Sequence, residues 1–316
     1  MRLYPADEIA SMLPWHPLVD ALREQFQREV VSPVRHHHEI GSPGILLLMP
    51  AWTSGPGGLA GVKLVTVYPQ NPASGHPSIQ GQYLLFDTAT GTPLAVMDAA
   101  TITLHRTAAA SVLAASYLAR KDSRRLLLCS TGRLAPYIAR AYAAVLGIDS
   151  VRVWGRKPER TAALAASLSA EGLEAEAVGD PNEALGWADI VTCATMSHTP
   201  LFDGHRLRPG THVDLIGGFT YDMRESDDET IRRSRVYVDT REGALAEAGD
   251  LLQPIATGVF RPEDVVGDLF DLCRGVVKGR VSDEEITLFK SVGCALEDLA
   301  AAELVYRDTR NSRSDT

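Results

Sequence analysis

The sequence predicts an α/β fold: a doubly wound parallel sheet joined to an N-terminal α+β domain. Two observations carry that prediction. From residue 125 onward, short apolar runs alternate with helical stretches, the rhythm of β-α-β units. Before residue 98, strand-like runs follow one another with turn residues between them, behind a single amphipathic helix.

The elements follow in order. Leu18, Val19, Leu22 and Phe26 fall at helical spacing within residues 16–30. Strand-like runs occupy 44–50, 61–69 and 81–87; a hairpin-type turn at 87–93 leads into a returning run at 94–98. An alanine-rich helix fits 99–120, and the polar joint "KDSRR" (121–125) marks a domain boundary. Beyond it come a strand at 125–129, a helix at 133–147 closed by Gly147, and a strand at 150–154. A helix at 158–170 opens on Pro158, followed by a strand at 173–178, a short helix at 181–188 and a strand at 189–195. Runs at 211–217 and 235–239 continue the set, and Asp227-Asp228-Glu229 reads as an acidic helix start. The last segments are a strand-like run at 285–293 and a helix at 294–308, expected to pack back on the first domain. The expected domains are therefore 1–120 with 294–316, and 121–293, with disorder confined to the tail from 307.

Composition narrows the function classes. A net charge of −9 argues against a general nucleic-acid or anionic-membrane binder, which needs a basic face, but leaves room for a local basic pocket. No apolar stretch reaches 18 residues, so no membrane span is expected. The N-terminus lacks a basic region followed by a long apolar run, so no signal peptide is expected. Cys129, Cys193, Cys273 and Cys294 form no CxxC pair and read as reduced thiols of a cytoplasmic protein. Residues His36-His37-His38 sit in a strand-like setting, where neighbours point to opposite faces, so no metal site is expected there.

The stretch "LLLCSTGRLAPYIA" (126–139) has the grammar of a dinucleotide-binding βα turn. In such a Rossmann turn, glycines permit a tight bend and close approach to pyrophosphate, and the helix N-terminus supplies N–H donors. Here the order is Ser130-Thr131-Gly132-Arg133-Leu134-Ala135, with serine at the first glycine position. Strand before, helix after, and a second strand ending about 20 residues on support a cofactor site. That second strand ends on Gly155-Arg156-Lys157 with Arg160 one turn later, and offers no acid to a ribose 2′-hydroxyl. Cations suit a 2′-phosphate, so NADP(H) is favoured and NAD(H) remains possible; the alternative is a set of solvated surface charges.

At "GVKLVTVYPQNP" (61–72) and "LHRTAAASVLA" (104–114) the sequence resembles the ornithine cyclodeaminase/mu-crystallin family. Further matches are "SPVR" (32–35), "ADIVTCAT" (188–195), "LRPGTHVDLIG" (207–217), "VYVDTREGALAEAGDL" (236–251) and "FKSVGCALEDLAAAELVY" (289–306). The resemblance implies a homodimer, with an N-terminal substrate and dimerisation domain rejoined by the C-terminal helix, and a Rossmann domain between. It implies substrate-pocket cations at Arg35, Lys63 and Arg106, with Arg106 reaching between carboxylate and cofactor. It implies a pyrophosphate turn at Thr131, Arg133 and Leu134, with Ser130 and Gly132 alongside, and ribose or 2′-phosphate contacts at Gly155, Arg156 and Lys157. Thr195, Met196 and Ile216 match residues along the dinucleotide. Ser78 falls near a cofactor-contacting strand, and Ser291 and Gly293 match an "SxG" beside the nicotinamide, with Ser291 also toward substrate. From the residues alone, two arginines and a lysine on separate segments can converge on one anion. Lys63 lies inside an apolar run, where a cation is unexpected unless paired.

One departure from the family decides between its activities. Ornithine cyclodeaminases carry a motif like "GGDCPGK"; here the segment is "GGFTYDMRESDD" (217–228), with Phe219 in the place of the aspartate. An apolar wall suits a ring already closed. The resemblance therefore points to the reductase branch, which reduces cyclic imine carboxylates such as Δ1-pyrroline-2-carboxylate and Δ1-piperideine-2-carboxylate to L-proline and L-pipecolate. In that reading Arg35 and Arg106 hold the carboxylate, and Lys63, or a water it orients, protonates the imine nitrogen. The alternatives are an ornithine cyclodeaminase, an alanine- or opine-type dehydrogenase, and a non-catalytic small-molecule binder. Asp222 stays an open candidate for a site role.

Overall fold

The computed structural model describes residues 1–41 and 44–314, which divide into two compact units, 1–107 with the segment from 293, and 108–292. In the first unit β1 (Arg2–Tyr4), α1 (Ala6–Ser11) and α2 (Trp15–Gln27) precede β2 (His36–Glu39), β3 (Ile45–Trp52), β4 (Leu59–Val67), β5 (Ile79–Asp87) and β6 (Pro93–Asp98). The six strands form one sheet in the order β1-β6-β5-β4-β3-β2, antiparallel except for the β1–β6 pair. Helix α2 buries Leu18, Val19, Leu22 and Phe26, the stripe its spacing predicts, and each such burial contributes roughly 1.5–3 kcal/mol. Strand β4 alternates buried and partly exposed positions, and Lys63 occupies the buried set with Leu59, Gly61 and Val65. The His36–His38 run forms β2 at the sheet edge, exposed throughout, with the rings of His36 and His38 edge to face at 6.4 Å.

Helix α3 (Ala99–Leu118) begins in the first unit and passes into the second at Ala108. The second unit runs β7 (Arg125–Cys129), α4 (Ala135–Leu146), β8 (Ser150–Trp154), α5 (Pro158–Ala170), β9 (Glu174–Ala177), α6 (Pro181–Leu185), β10 (Ile190–Cys193) and β11 (His212–Leu215). It continues with α7 (Asp228–Arg233), β12 (Ser234–Val238), α8 (Arg241–Glu247), α9 (Gly249–Ala256), β13 (Val265–Asp268), α10 (Leu269–Cys273) and β14 (Ile286–Lys290). The eight strands form a wholly parallel sheet in the order β13-β12-β14-β11-β10-β7-β8-β9. Strands β10 and β11 are buried on both faces, as a sheet covered by helices requires. The chain winds outward from β7 through β8 to β9, then returns to place β10 on the other side of β7. That reversal is a topological switch point, where the strands' carboxyl ends open a crevice.

Helix α11 (Ala295–Ser314) returns to the first unit and packs on α2, β3 and β4. It extends past the expected end at 308, because each further residue on a formed helix adds a hydrogen bond without a new nucleation cost. Of the tail expected to be disordered, residues through 314 are helical, and 315 and 316 lie outside the described residues. Helix α4 starts at Ala135 rather than 133, with Pro136 in its first turn, and ends on Gly147 at φ 70°. Asp227 caps α7, its carboxylate accepting from Thr230 N–H at 2.8 Å. Three of the four cysteines are buried, and none of the four is joined in a disulfide among the described residues. No helix among the described residues is long and apolar enough to cross a membrane.

Candidate active site

In the first unit a cationic cluster forms where β4, α3 and the first turn of α11 meet. Lys63 is 2% exposed, and its Nζ lies 2.9 Å from Oδ1 and 2.8 Å from Oδ2 of Asp298. Arg106 donates from Nε to Asp298 Oδ1 at 3.0 Å and from Nη1 to Glu297 Oε2. Arg35 donates from Nη2 to the carbonyl of Gly293 at 2.9 Å. Gly293 has φ +79° and passes so close to Arg106 that an added Cβ would stand 2.5 Å from its Nη1. A side chain there is excluded both by the left-handed backbone and by the guanidinium. Lys63, Arg106, Arg35 and Gly293 are thus brought together, with Glu297 and Asp298 as partners that sequence reasoning missed. The signal available was an adjacent acidic pair inside the apolar run "CALEDLAAAEL".

The electrostatics follow from burial. Desolvation lowers the Lys63 ammonium to about 8; Asp298 opposes that shift, and Arg106 and Arg35 add to it. Burial also acts against charged Arg106, but Asp298 and Glu297 outweigh it and raise its pKa above the ordinary value. Lys63 and Arg106 share the carboxylates of Asp298 and Glu297, and Arg35 stands at the neighbouring Gly293 carbonyl, a set of cationic donors suited to a bound carboxylate.

In the second unit the βα turn sits at the switch point. Ser130 is 3% exposed and turned inward: its Oγ donates to the Ala194 carbonyl at 2.8 Å and accepts from Gly132 N–H at 3.2 Å. The serine in the first glycine position therefore ties the end of β7 to the end of β10. Among the described residues, the N–H groups of Thr131, Arg133 and Leu134 have no protein acceptor, so the entrance of the twelve-residue α4 presents free donors. Gly132 is exposed, and an added Cβ would meet only Ser130 Oγ at 3.6 Å, so this face of the turn is open. Gly155 packs against the turn: a Cβ there would stand 2.5 Å from Thr131 Cγ2. Arg133, Arg156 and Lys157 are exposed, and none has a carboxylate within ion-pair distance among the described residues. These donors and cations fit a dinucleotide's phosphates.

The remaining candidates are spread along the strand ends. Thr195 follows β10, and Ile216 follows β11 with its N–H on the Cys193 carbonyl at 2.9 Å. Ser291 follows β14 and is 5% exposed, donating its N–H to Leu215 at 3.1 Å. The strand expected over 285–293 thus stops at Lys290, and Ser291 to Gly293 form the departing loop. Met196 is 59% exposed, and Phe219 is partly buried against the unit's core. Ser78 belongs to the first unit, in the bend before β5, where its carbonyl accepts from Tyr68 N–H at 2.8 Å. Asp222 is exposed, and its Oδ2 lies 3.2 Å from His198 Nδ1. Sequence reasoning also missed Glu225, fully buried, whose carboxylate holds Thr195 and Gly217.

Known proteins share this architecture over its full length. A Δ1-pyrroline-2-carboxylate reductase of Paracoccus denitrificans is 44% identical, over 95% of this chain and 94% of its own. The solved structure of the Thermococcus litoralis Δ1-pyrroline-2-carboxylate reductase, in complex with NADH and L-proline, superposes with a TM-score of 0.94 at 34% identity, covering 99% of this chain and 98% of that one. An archaeal alanine dehydrogenase dimer with bound NAD follows at TM-score 0.91 and 30% identity, covering 98% and 96%. With the sequence pattern of the ornithine cyclodeaminase/mu-crystallin family matched over residues 6–313, the chain belongs to that family.

Proposed function

We propose that this chain is an NAD(P)H-dependent reductase of cyclic imine carboxylates, converting Δ1-pyrroline-2-carboxylate or Δ1-piperideine-2-carboxylate to L-proline or L-pipecolate. The carrying observation is the buried Lys63, its pKa lowered to about 8, held on Asp298 beside Arg106 and Arg35. The reductases among its relatives support the same reaction class. Arg106 spends Nε and Nη1 on Asp298 and Glu297, which fixes its plane and leaves Nη2 for the substrate carboxylate, with Arg35 as the second clamp. Lys63 is the proton source at the imine nitrogen, directly or through a water it orients; a pKa near neutrality suits that donor. Phe219 supplies an apolar wall in place of an acid, favouring a closed ring over a free side-chain amine.

Thr131, Gly132, Arg133 and Leu134 would hold the pyrophosphate at the start of α4, and Gly155 would line the ribose. Bound there, the reduced nicotinamide supplies the hydride. Arg156 and Lys157 favour NADP(H), while NAD(H) remains usable, as the NADH-bound relative illustrates. We assign substrate binding and homodimerisation to the unit of residues 1–107 and its C-terminal helix.

The test follows reduced-cofactor absorbance with each cyclic imine, with pyruvate plus ammonia, and separately ammonia release from ornithine with NAD⁺. Imine-dependent oxidation of NAD(P)H is expected, and Lys63→Met should lower turnover roughly 10²–10⁴-fold while cofactor binding persists. Proline and ammonia from ornithine without imine reduction would overturn the reading, and near-full turnover by Lys63→Met would overturn the role of the lysine.

A further inference from the structure

Behind the crevice of the second unit lies a chain of buried charges that the reaction as proposed does not use. Glu225 is 0% exposed and accepts three hydrogen bonds: from Thr195 N–H at 2.6 Å, Thr195 Oγ1 at 2.7 Å and Gly217 N–H at 2.7 Å. Thr195 and Gly217 each lie two residues past the end of a neighbouring strand, β10 and β11. Asp250, at the start of α9 and also fully buried, accepts from Glu225 N–H at 2.8 Å and Ser226 N–H at 3.0 Å. Its other oxygen lies 3.2 Å from Nζ of Lys290, the buried last residue of β14. The glycines between are shaped to this arrangement. A Cβ on Gly217 would stand 1.8 Å from the Thr195 carbonyl, and one on Gly218 would stand 2.6 Å from Asp250 Oδ2.

Two carboxylates and one ammonium without exposure are costly to bury, and apolar side chains could fill the space at no such cost. What only a carboxylate can do here is accept from all three donors on two strand ends at once. We propose that Glu225, braced by Asp250 and Lys290, is a positioning residue that sets the spacing of the β10 and β11 ends for the bound dinucleotide. The inference rests on the cofactor reading above. It makes Glu225 act through Thr195 and Gly217, without touching cofactor or substrate itself.

The substitution Glu225→Gln tests it with little change of volume. One carboxylate oxygen becomes an NH₂, which must face the Thr195 or the Gly217 N–H, donor against donor. The expected result is a Kd for NADH, read by fluorescence titration of the purified full chain, raised at least about 10-fold, with KM for the imine unchanged. Glu225→Asp keeps the charge but is one methylene too short to span both strand ends, and should recover part of the affinity. If Glu225→Gln does not fold, Glu225→Asp alone decides, with a raised NADH Kd expected. Wild-type NADH affinity in every variant that folds overturns the positioning role, even if the melting temperature falls. NADH binding by the wild-type chain without imine turnover sinks the reductase reading instead, and the comparison of affinities still decides the role of Glu225.

Discussion

Lys63 on β4 and Asp298 on α11, 235 residues apart in sequence, share a buried ion pair at 2.8 Å. Burial lowers the Lys63 pKa to about 8, and Asp298 keeps it from falling further. Lys63 can give up a proton only while charged, so the rate of imine reduction should fall as pH rises through its pKa. Asp298→Asn removes the influence that holds the pKa up, so that descending limb should move to lower pH by about one unit or more. Breaking a buried pair also costs roughly 3–5 kcal/mol, so the melting temperature will drop. The diagnostic is the limb in the kcat/KM profile from pH 6 to 10, and an unmoved limb would mean that Lys63 is not the titrating acid.

Ser130 makes a second prediction. Its hydroxyl joins Ala194 and Gly132 across the switch point. Ser130→Ala leaves a carbonyl and an N–H without that partner, at a cost of about 1–3 kcal/mol. Ser130→Gly restores the usual first residue of the fingerprint but loses the same bonds. Both variants should bind NAD(P)H several-fold more weakly by fluorescence titration. Tighter binding by Ser130→Gly would show that the serine is a tolerated loss.

Periodicity made most of this fold legible. The helical stripe of α2 and the strand-helix alternation after 125 follow from residue spacing, which burial rewards directly. Lys63 stood out because a cation on the inward parity of an apolar strand needs a partner, but its partner could not be read. Asp298 is brought to it only by the return of α11. Glu225 was hidden for the same reason, since its carboxylate serves backbone groups whose meeting depends on strand order. Helices α8, α9 and α10 were passed over because they are short, and α9 carries Pro254 within it. Such elements are set by tertiary packing more than by local preference. At 130 the sequence shows a serine where the fingerprint has glycine but not what its hydroxyl serves; its bonds run to the protein's own backbone.

Cofactor choice tests the end of β8. Arg156 and Lys157 are exposed and lack carboxylate partners among the described residues, so a 2′-phosphate would meet little competition. Replacing both with alanine should raise the Kd for NADPH roughly 10-fold or more and leave NADH within about 3-fold. Added salt should weaken NADPH more than NADH in the wild-type chain, as screening of exposed charges requires. Equal loss for both cofactors would return these residues to the solvated surface.

Asp214, on β11, carries a stability prediction independent of catalysis. Its carboxyl is fully buried and raised to about 7 by desolvation, against hydrogen bonds from Tyr142 Oη at 3.0 Å and Ser111 Oγ at 3.2 Å. The unfolded chain releases this proton near an ordinary aspartate value of about 3.9. Between there and about 7 the folded chain therefore binds more protons than the unfolded one. Its contribution is complete below the unfolded value and is lost as pH rises through the folded one, at up to about 1.4 kcal/mol per pH unit. Asp214→Asn stays neutral throughout, and both of its partners are hydroxyls that can turn to accept from the amide. Urea unfolding of the two chains from pH 5 to 9 should show the wild type losing stability relative to Asp214→Asn up to about pH 7, with the difference level above it. Parallel curves across that range would mean that Asp214 is already ionised in the folded chain at pH 5, held so by its two hydroxyl donors.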